Sequence, residues 1–104
     1  MIRCTTPTLT LQIPGRDLRE CEIVVTLKSN YKTINKTNND LTVEYSGDTT
    51  ILYVQLTQAD TIEMSAGNVN IQVNWLNSSG KREATCTSCI DVAENLYNRV
   101  MQNE

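Results

Sequence analysis

Along most of this chain apolar and polar side chains alternate with a period of two, the mark of strands that bury one face. Leu9, Leu11 and Ile13 line one side of a run from Thr8 to Ile13, which Pro14-Gly15 stops. From Cys21 to Lys28, Cys21, Ile23, Val25 and Leu27 share one face, and Glu22, Thr26 and Lys28 share the other. Ser29-Asn30 turns the chain into a weaker strand, Tyr31 to Lys36, which Asn38-Asn39-Asp40 breaks. Leu41, Val43 and Tyr45 alternate next, and Ser46-Gly47-Asp48 reads as a hairpin turn. Thr50 to Leu56 is apolar on both faces, with Leu52, Val54 and Leu56 in one row and Ile51 and Tyr53 in the other. Such a strand is expected centrally in its sheet or covered on both sides. Asn68 to Leu76 alternates most cleanly: Val69, Ile71, Val73 and Trp75 face in, and Asn68, Asn70, Gln72 and Asn74 face out. After Asn77-Ser78-Ser79-Gly80, a last run from Glu83 to Val92 carries Ala84, Cys86, Ser88, Ile90 and Val92 on one face.

Seven short strands in about a hundred residues predict two packed antiparallel sheets, an all-β, seven-stranded immunoglobulin-like β-sandwich. Its expected core is Leu11, Ile23, Val25, Val43, Leu52, Val54, Ile71, Val73, Trp75 and Ile90. Two segments depart from the period of two. Leu56 to Met64 reads as a single helical turn, with Thr57 and Asp60 spaced as a capping box. Its place resembles the crossing before the sixth strand of immunoglobulin-type sandwiches. In the tail, Ala93, Leu96, Tyr97, Val100 and Met101 fall on one face of a short amphipathic helix, read over 92–103, with Asp91 and Glu94 spaced to cap it. The chain is therefore expected to divide into a β-sandwich domain, 1–92, and a C-terminal helical tail, 93–104. A lone helix of about twelve residues is marginal in water, so its stripe must be buried. Leu96, Tyr97, Val100 and Met101 are the candidate interaction residues, against the sandwich itself or against a partner.

A chain of 104 residues holds one core, and with no Phe and one Trp that core must be built of Ile, Val and Leu with a few Tyr. The net charge of −3 and the scattered basic residues argue against a nucleic-acid partner. No stretch reaches the ~18 apolar residues of a membrane helix. Residues 1–7 lack the apolar segment of a signal peptide, so synthesis and folding in a cytoplasm are expected. The sequons at Asn35 and Asn77 are read as chance in an Asn- and Thr-rich chain.

The chemistry available to such a chain is narrow. It has no histidine, which excludes Ser-His and Cys-His nucleophile systems, and its four glycines assemble no phosphate-binding loop. Carboxylates sit in turns (Asp17, Asp40, Asp48, Asp60) or on exposed strand faces (Glu22, Glu44), and no spacing pairs two of them as a glycosidase requires. Asp60 is expected to bond amides of its own turn. Cys86-Thr87-Ser88-Cys89 has a zinc or redox spacing, but residues three apart in a strand point to opposite faces. With Cys4 and Cys21 the set is read as unligated thiols, Cys21 as a small buried hydrophobe. Trp75 is read as core rather than as a sugar platform. No catalytic residue, cofactor site or metal site is assigned, and the chain is expected not to be an enzyme.

The opening Met1-Ile2-Arg3-Cys4-Thr5-Thr6-Pro7-Thr8 is similar to the start of small virion proteins encoded by phages and prophages of Gram-positive hosts. Leu56-Thr57-Gln58-Ala59-Asp60-Thr61, Val69-Asn70-Ile71-Gln72-Val73 and the turn near Gly80 resemble the same group. The chain departs from that group in its Cys-x-x-Cys and in Cys4. The resemblance implies a non-catalytic phage or prophage structural protein, tail- or baseplate-associated, working through protein–protein contacts. The expected partners are other virion proteins or further copies of the chain as a homo-oligomer, with no nucleic acid and no membrane, in the host cytoplasm during assembly and then in the virion. The alternative is a carbohydrate- or receptor-binding β-sandwich module.

Overall fold

The computed structural model describes residues 1, 5–29, 32–62, 67–77, 79–85 and 88–92, the last segment by its backbone. The expected tail helix, with Leu96, Tyr97, Val100 and Met101, and also Cys4, Tyr31 and Cys86, lie outside the described residues. Within them the chain is almost entirely antiparallel β. The strands are β1 (Thr8–Pro14), β2 (Glu22–Lys28), β3 (Thr33–Thr37), β4 (Leu41–Ser46), β5 (Thr49–Gln55), β6 (Gly67–Leu76), β7 (Arg82–Ala84) and β8 (Ser88–Val92). One sheet runs β1-β5-β4, and the other runs β3-β2-β6 with β7 and β8 both pairing β6. No helix among the described residues is long and apolar enough to cross a membrane.

The alternation read from the sequence places the core. Ile23, Val25 and Leu27 of β2, Leu52 and Val54 of β5, and Val69, Ile71, Val73 and Trp75 of β6 are all buried in one cluster shared by the two sheets. Each row meets its counterpart in register, as with Ile23 opposite Trp75 and Val25 opposite Val73. Leu9, Leu11, Leu41 and Val43 belong to the edge strands of the smaller sheet and are half-buried against that cluster. β5 is central in its sheet, as its two apolar rows require.

The crossings depend on polar residues. Thr50 is fully buried between β1 and β4; its hydroxyl accepts from the Leu18 N–H at 3.0 Å and donates to the Arg16 carbonyl at 2.6 Å, fastening the β1–β2 crossing over the core. The helical turn α1 (Gln58–Ile62) is capped reciprocally: the Asp60 N–H donates to the Thr57 hydroxyl at 3.1 Å, and the Thr57 N–H donates to the Asp60 carboxylate at 2.9 Å. Thr61, also fully buried, donates to the Thr5 carbonyl at 2.8 Å and ties the first described residues to α1.

Several expectations need correction. The last strand is two segments, β7 and β8, so eight strands occupy the described chain. Between the pairs Asn74↔Ala84 and Ile71↔Ser88, β6 advances three residues and the returning chain four. A one-residue offset reverses the facing of a strand, so Ala84 stands opposite the outer-face residue Asn74, while Ile90 pairs with the core residue Val69. Thr85 makes the offset possible: its hydroxyl accepts the Val73 N–H at 3.0 Å in place of a ladder carbonyl, and its own N–H donates to the Val73 carbonyl at 2.9 Å. Cys21 lies before β2 rather than in its inward row and is only half-buried. Asn38–Asp40 does more than break a strand: it forms a 3₁₀ turn whose Asp40 carboxylate accepts the Thr37 N–H at 3.1 Å.

Candidate functional site

Three features of the described residues could serve contact or chemistry: an ion-paired end of the molecule, a groove on the outer face of the larger sheet, and the open sheet edges. The first is built by the β1–β2 crossing. Gly15, at φ +76, lets the chain leave β1 while its N–H donates to the Asp48 carbonyl at 2.6 Å. The crossing then carries Arg16, Asp17, Arg19, Glu20 and Cys21, with Arg19 over Tyr45 of β4 and Arg16 against Glu83 of β7. Arg19 donates Nε and Nη2 to the two Asp17 oxygens at 2.9 and 2.7 Å, and its guanidinium carbon lies 4.8 Å from the centre of the Tyr45 ring. The hydrogen bonds from Arg19 hold the Asp17 carboxyl below the usual carboxylate range. Glu83 accepts from Trp75 Nε1 and Asn77 Nδ2, each at 3.3 Å, and meets Arg16 Nη2 at 3.3 Å. The Asn77 hydrogen bond does most to keep the Glu83 carboxyl low, against the cost of its desolvation. Trp75 is thereby fixed in the core with its one donor satisfied.

A recess of about 510 Å³ at this end is lined by Asp17, Arg19, Glu20 and Cys21. Burial, and after it the negative charges of Asp17, Glu83 and Glu20, push the Cys21 thiol up, which keeps it protonated. Its Sγ lies 4.0 Å from the Asp17 carbonyl oxygen, and the charges that act on it among the described residues are all negative. Among the described residues no group of three or more His, Cys, Asp or Glu side chains is placed to hold a metal ion.

The second feature is a groove of about 560 Å³ across β3, β2, β6 and β7. Its wall residues Thr26 and Asn35 bond each other at 2.7 Å, and Arg82 donates Nε and Nη2 to Asn74 Oδ1 at 3.2 and 3.1 Å. Val24 and the exposed Leu76 supply its apolar surface. Among the described aromatic residues, Trp75 lines the groove but is only 5% exposed, and Tyr45 and Tyr53 belong to the other sheet, so none of them presents a ring face for stacking.

The third feature is the set of strand edges. β1, β4, β3 and the β7–β8 side have no partner strand among the described residues on their outer edges. Their hydrogen-bonding phase can be read from the flanking contacts. Leu56 N–H donates to the Pro7 carbonyl at 3.0 Å and Gly15 N–H to the Asp48 carbonyl, so the odd-numbered residues of β1 bond β5. The backbone groups of Thr8, Thr10, Gln12 and Pro14 therefore point away from the sheet. Pro14 sits where a missing N–H costs no ladder bond.

Of the residues singled out from the sequence, Asp60 behaves as expected in its turn. It also meets Lys36 at 2.7 Å, with side chains 19% and 13% exposed, so this one lysine of the scattered basic residues is largely covered. Burial alone would raise the Asp60 carboxyl, but hydrogen bonds from Lys36 and from the Thr57 N–H outweigh it and hold the pKa low. Cys89 lies in β8 opposite Asn70, and Leu96, Tyr97, Val100 and Met101 fall outside the described residues. The Arg16–Glu83–Trp75 chain of contacts was not foreseen, because it joins positions 67 residues apart that carry no common motif. Compared with known proteins, the chain matches no family model, no curated protein and no solved structure.

Proposed function

We propose that this chain is a non-catalytic structural protein of a phage or prophage, tail- or baseplate-associated, that works through protein–protein contacts made by an immunoglobulin-like sandwich. The strand order supports the fold reading. With β1, β5 and β4 taken as B, E and D, and β3, β2, β6 and β7–β8 as C′, C, F and G, the described strands follow the immunoglobulin variable-type order without strands A and C″. α1 then occupies the crossing from E to F. The C-terminal helical tail, 93–104, remains part of this reading as a second contact surface.

The observation that carries the contact role is that both sheets end in strands whose outer edges have no partner among the described residues. Such edges are templates for pairing with another chain. The resemblance of the opening residues and of the turn at Leu56–Thr61 to virion β proteins supplies the setting. The test is mass spectrometry of particles purified from a host carrying the gene. The chain is expected in fixed ratio with the tail proteins, and recovery only with unassembled soluble protein contradicts the reading.

The groove lined by Thr26, Asn35, Asn74 and Arg82 favours a second reading, a carbohydrate- or receptor-binding module. Saturable binding of a glycan that Arg82→Ala abolishes supports it, and an empty glycan titration sinks it.

A further inference from the structure

We propose that β1 is a pairing edge for a second copy of this chain, β1 against β1 in antiparallel register centred on Thr10. This rests on the contact role proposed above and names its partner and its place. The four edges differ in how they are guarded. β4 carries Glu44, β3 is short and carries Lys36, and β7 carries Arg82 and Glu83 and is offset from β8. The Thr37 N–H at the outer edge of β3 is already taken by Asp40, and the Leu41 N–H at the edge of β4 by the Asn38 carbonyl. β1, Thr-Leu-Thr-Leu-Gln-Ile-Pro, has no charged residue over seven positions. Natural edge strands are protected by charge, brevity, bulges or proline, and β1 has only the last, at its end.

Pro14 also selects the register. The outward groups belong to the even-numbered residues, so an antiparallel mate must bring its own even-numbered residues opposite them. Pairing centred on Gln12 would set Pro14 against Thr10, and pairing centred on Leu11 would set it against Thr8. Both leave a carbonyl of β1 without a donor. Centred on Thr10, the mate's Gln12 faces Thr8 and Thr10 faces its own copy, while Pro14 falls past the first residue of β1. Every outward N–H of Thr8, Thr10 and Gln12 then gains an acceptor.

The side chains fit the same register. Thr10 meets Thr10 on the outer face, a favourable cross-strand pair. On the inner face Leu9 meets the mate's Leu11, and both are half-buried in the single chain because their strand ends the sheet. The alternation that an incoming strand needs, aliphatic inward and small polar outward, is the alternation of β1 itself.

The test is sedimentation equilibrium of the full chain from about 1 μM to about 1 mM, a range that spans weak edge contacts. The expected result is a monomer–dimer equilibrium. Thr10→Lys sets two lysines face to face at the two-fold axis and is expected to weaken it about 100-fold or more. Thr10 is exposed, so the urea midpoint of dilute protein should not move. Thr10→Val, which keeps the strand neutral, and Thr42→Lys, on the other edge of the same sheet, should leave the dimer intact. An oligomer indifferent to Thr10→Lys overturns the edge assignment while leaving the contact role standing. A monomer at every concentration overturns self-association through any surface, and recovery of such a monomer in purified particles would still uphold the contact role.

Discussion

Replacing Thr50 with Val should loosen the β1–β2 crossing while leaving both sheets intact. The two side chains have nearly the same shape, so no cavity forms, and the change isolates the hydroxyl. That hydroxyl holds two groups, the Leu18 N–H at 3.0 Å and the Arg16 carbonyl at 2.6 Å. Leu18 is 1% exposed, so water cannot reach its amide once the hydroxyl is gone, and a buried donor left without an acceptor costs about 1–3 kcal/mol. The Arg16 carbonyl belongs to an exposed residue and can turn to solvent at little cost. The extra buried methyl returns about 0.8 kcal/mol. The net expectation is a loss of about 0.2–2 kcal/mol, which lowers the melting temperature of a domain this size by up to roughly 15 °C. Urea unfolding gives the magnitude, and hydrogen exchange gives the place, since protection of the Leu18 amide should fall further than that of the β6 amides. Thr26→Val, which removes the exposed bond to Asn35, should cost under about 0.5 kcal/mol. A Thr50→Val variant more stable than the parent chain, or an unchanged Leu18 amide, would refute the reasoning.

Ile71 is 5% exposed and stands opposite Leu27 on one side and Ser88 on the other, so Ile71→Ala should cost about 2–5 kcal/mol, and a loss under about half a kcal/mol would mean that the β6 register is wrong. The Asp60 carboxyl is held low in the folded chain, so its contribution is fully present above the ordinary carboxylate pKa of about 4 and is lost as pH falls through the lowered value. Asp60→Asn should cost about 1–3 kcal/mol at pH 7, between the values for surface and buried pairs, and should flatten the acid limb of the stability curve; an unchanged acid limb would exclude the Lys36 pairing. Cys21, its thiol pushed up by burial and by neighbouring carboxylates, should alkylate more slowly at pH 8 in the folded than in the unfolded chain, as read by peptide mass spectrometry, and a faster folded-state reaction would contradict the environment described.

What was legible in the sequence was what local periodicity encodes. β6 could be read whole because it is flanked on both sides and buries one complete row, Val69 to Trp75. The cap of α1 could be read because Thr57 and Asp60 satisfy each other across three residues. The rest depends on partners far along the chain. Thr50 and Thr61 look like ordinary strand and helix residues, yet their hydroxyls are fixed by Leu18, Arg16 and Thr5, up to 56 positions away. Leu18 is buried from within a crossing that has no period at all. The register offset before β8 is hidden by an unbroken alternation from Ala84 to Val92, and only the pairing with β6 exposes it. Of the candidate site, the tail residues rested on a helical stripe outside the described residues, whereas the neutral edge of β1 was present in the sequence as an uncharged alternating run ending in proline.

The central claim is that this domain works by contact along its sheet edges, and amide hydrogen exchange of the full chain tests it most directly. Spectra are compared between dilute protein and protein in assembled particles. The expected result is that outward-facing edge amides, those of Thr8, Thr10 and Gln12 first, exchange within the dead time when dilute and become strongly protected on assembly, while the β2, β5 and β6 amides are protected in both. Edge amides that exchange equally fast in both states, with new protection confined to the groove over Thr26, Asn35 and Asn74, would contradict the account and favour a ligand-binding module.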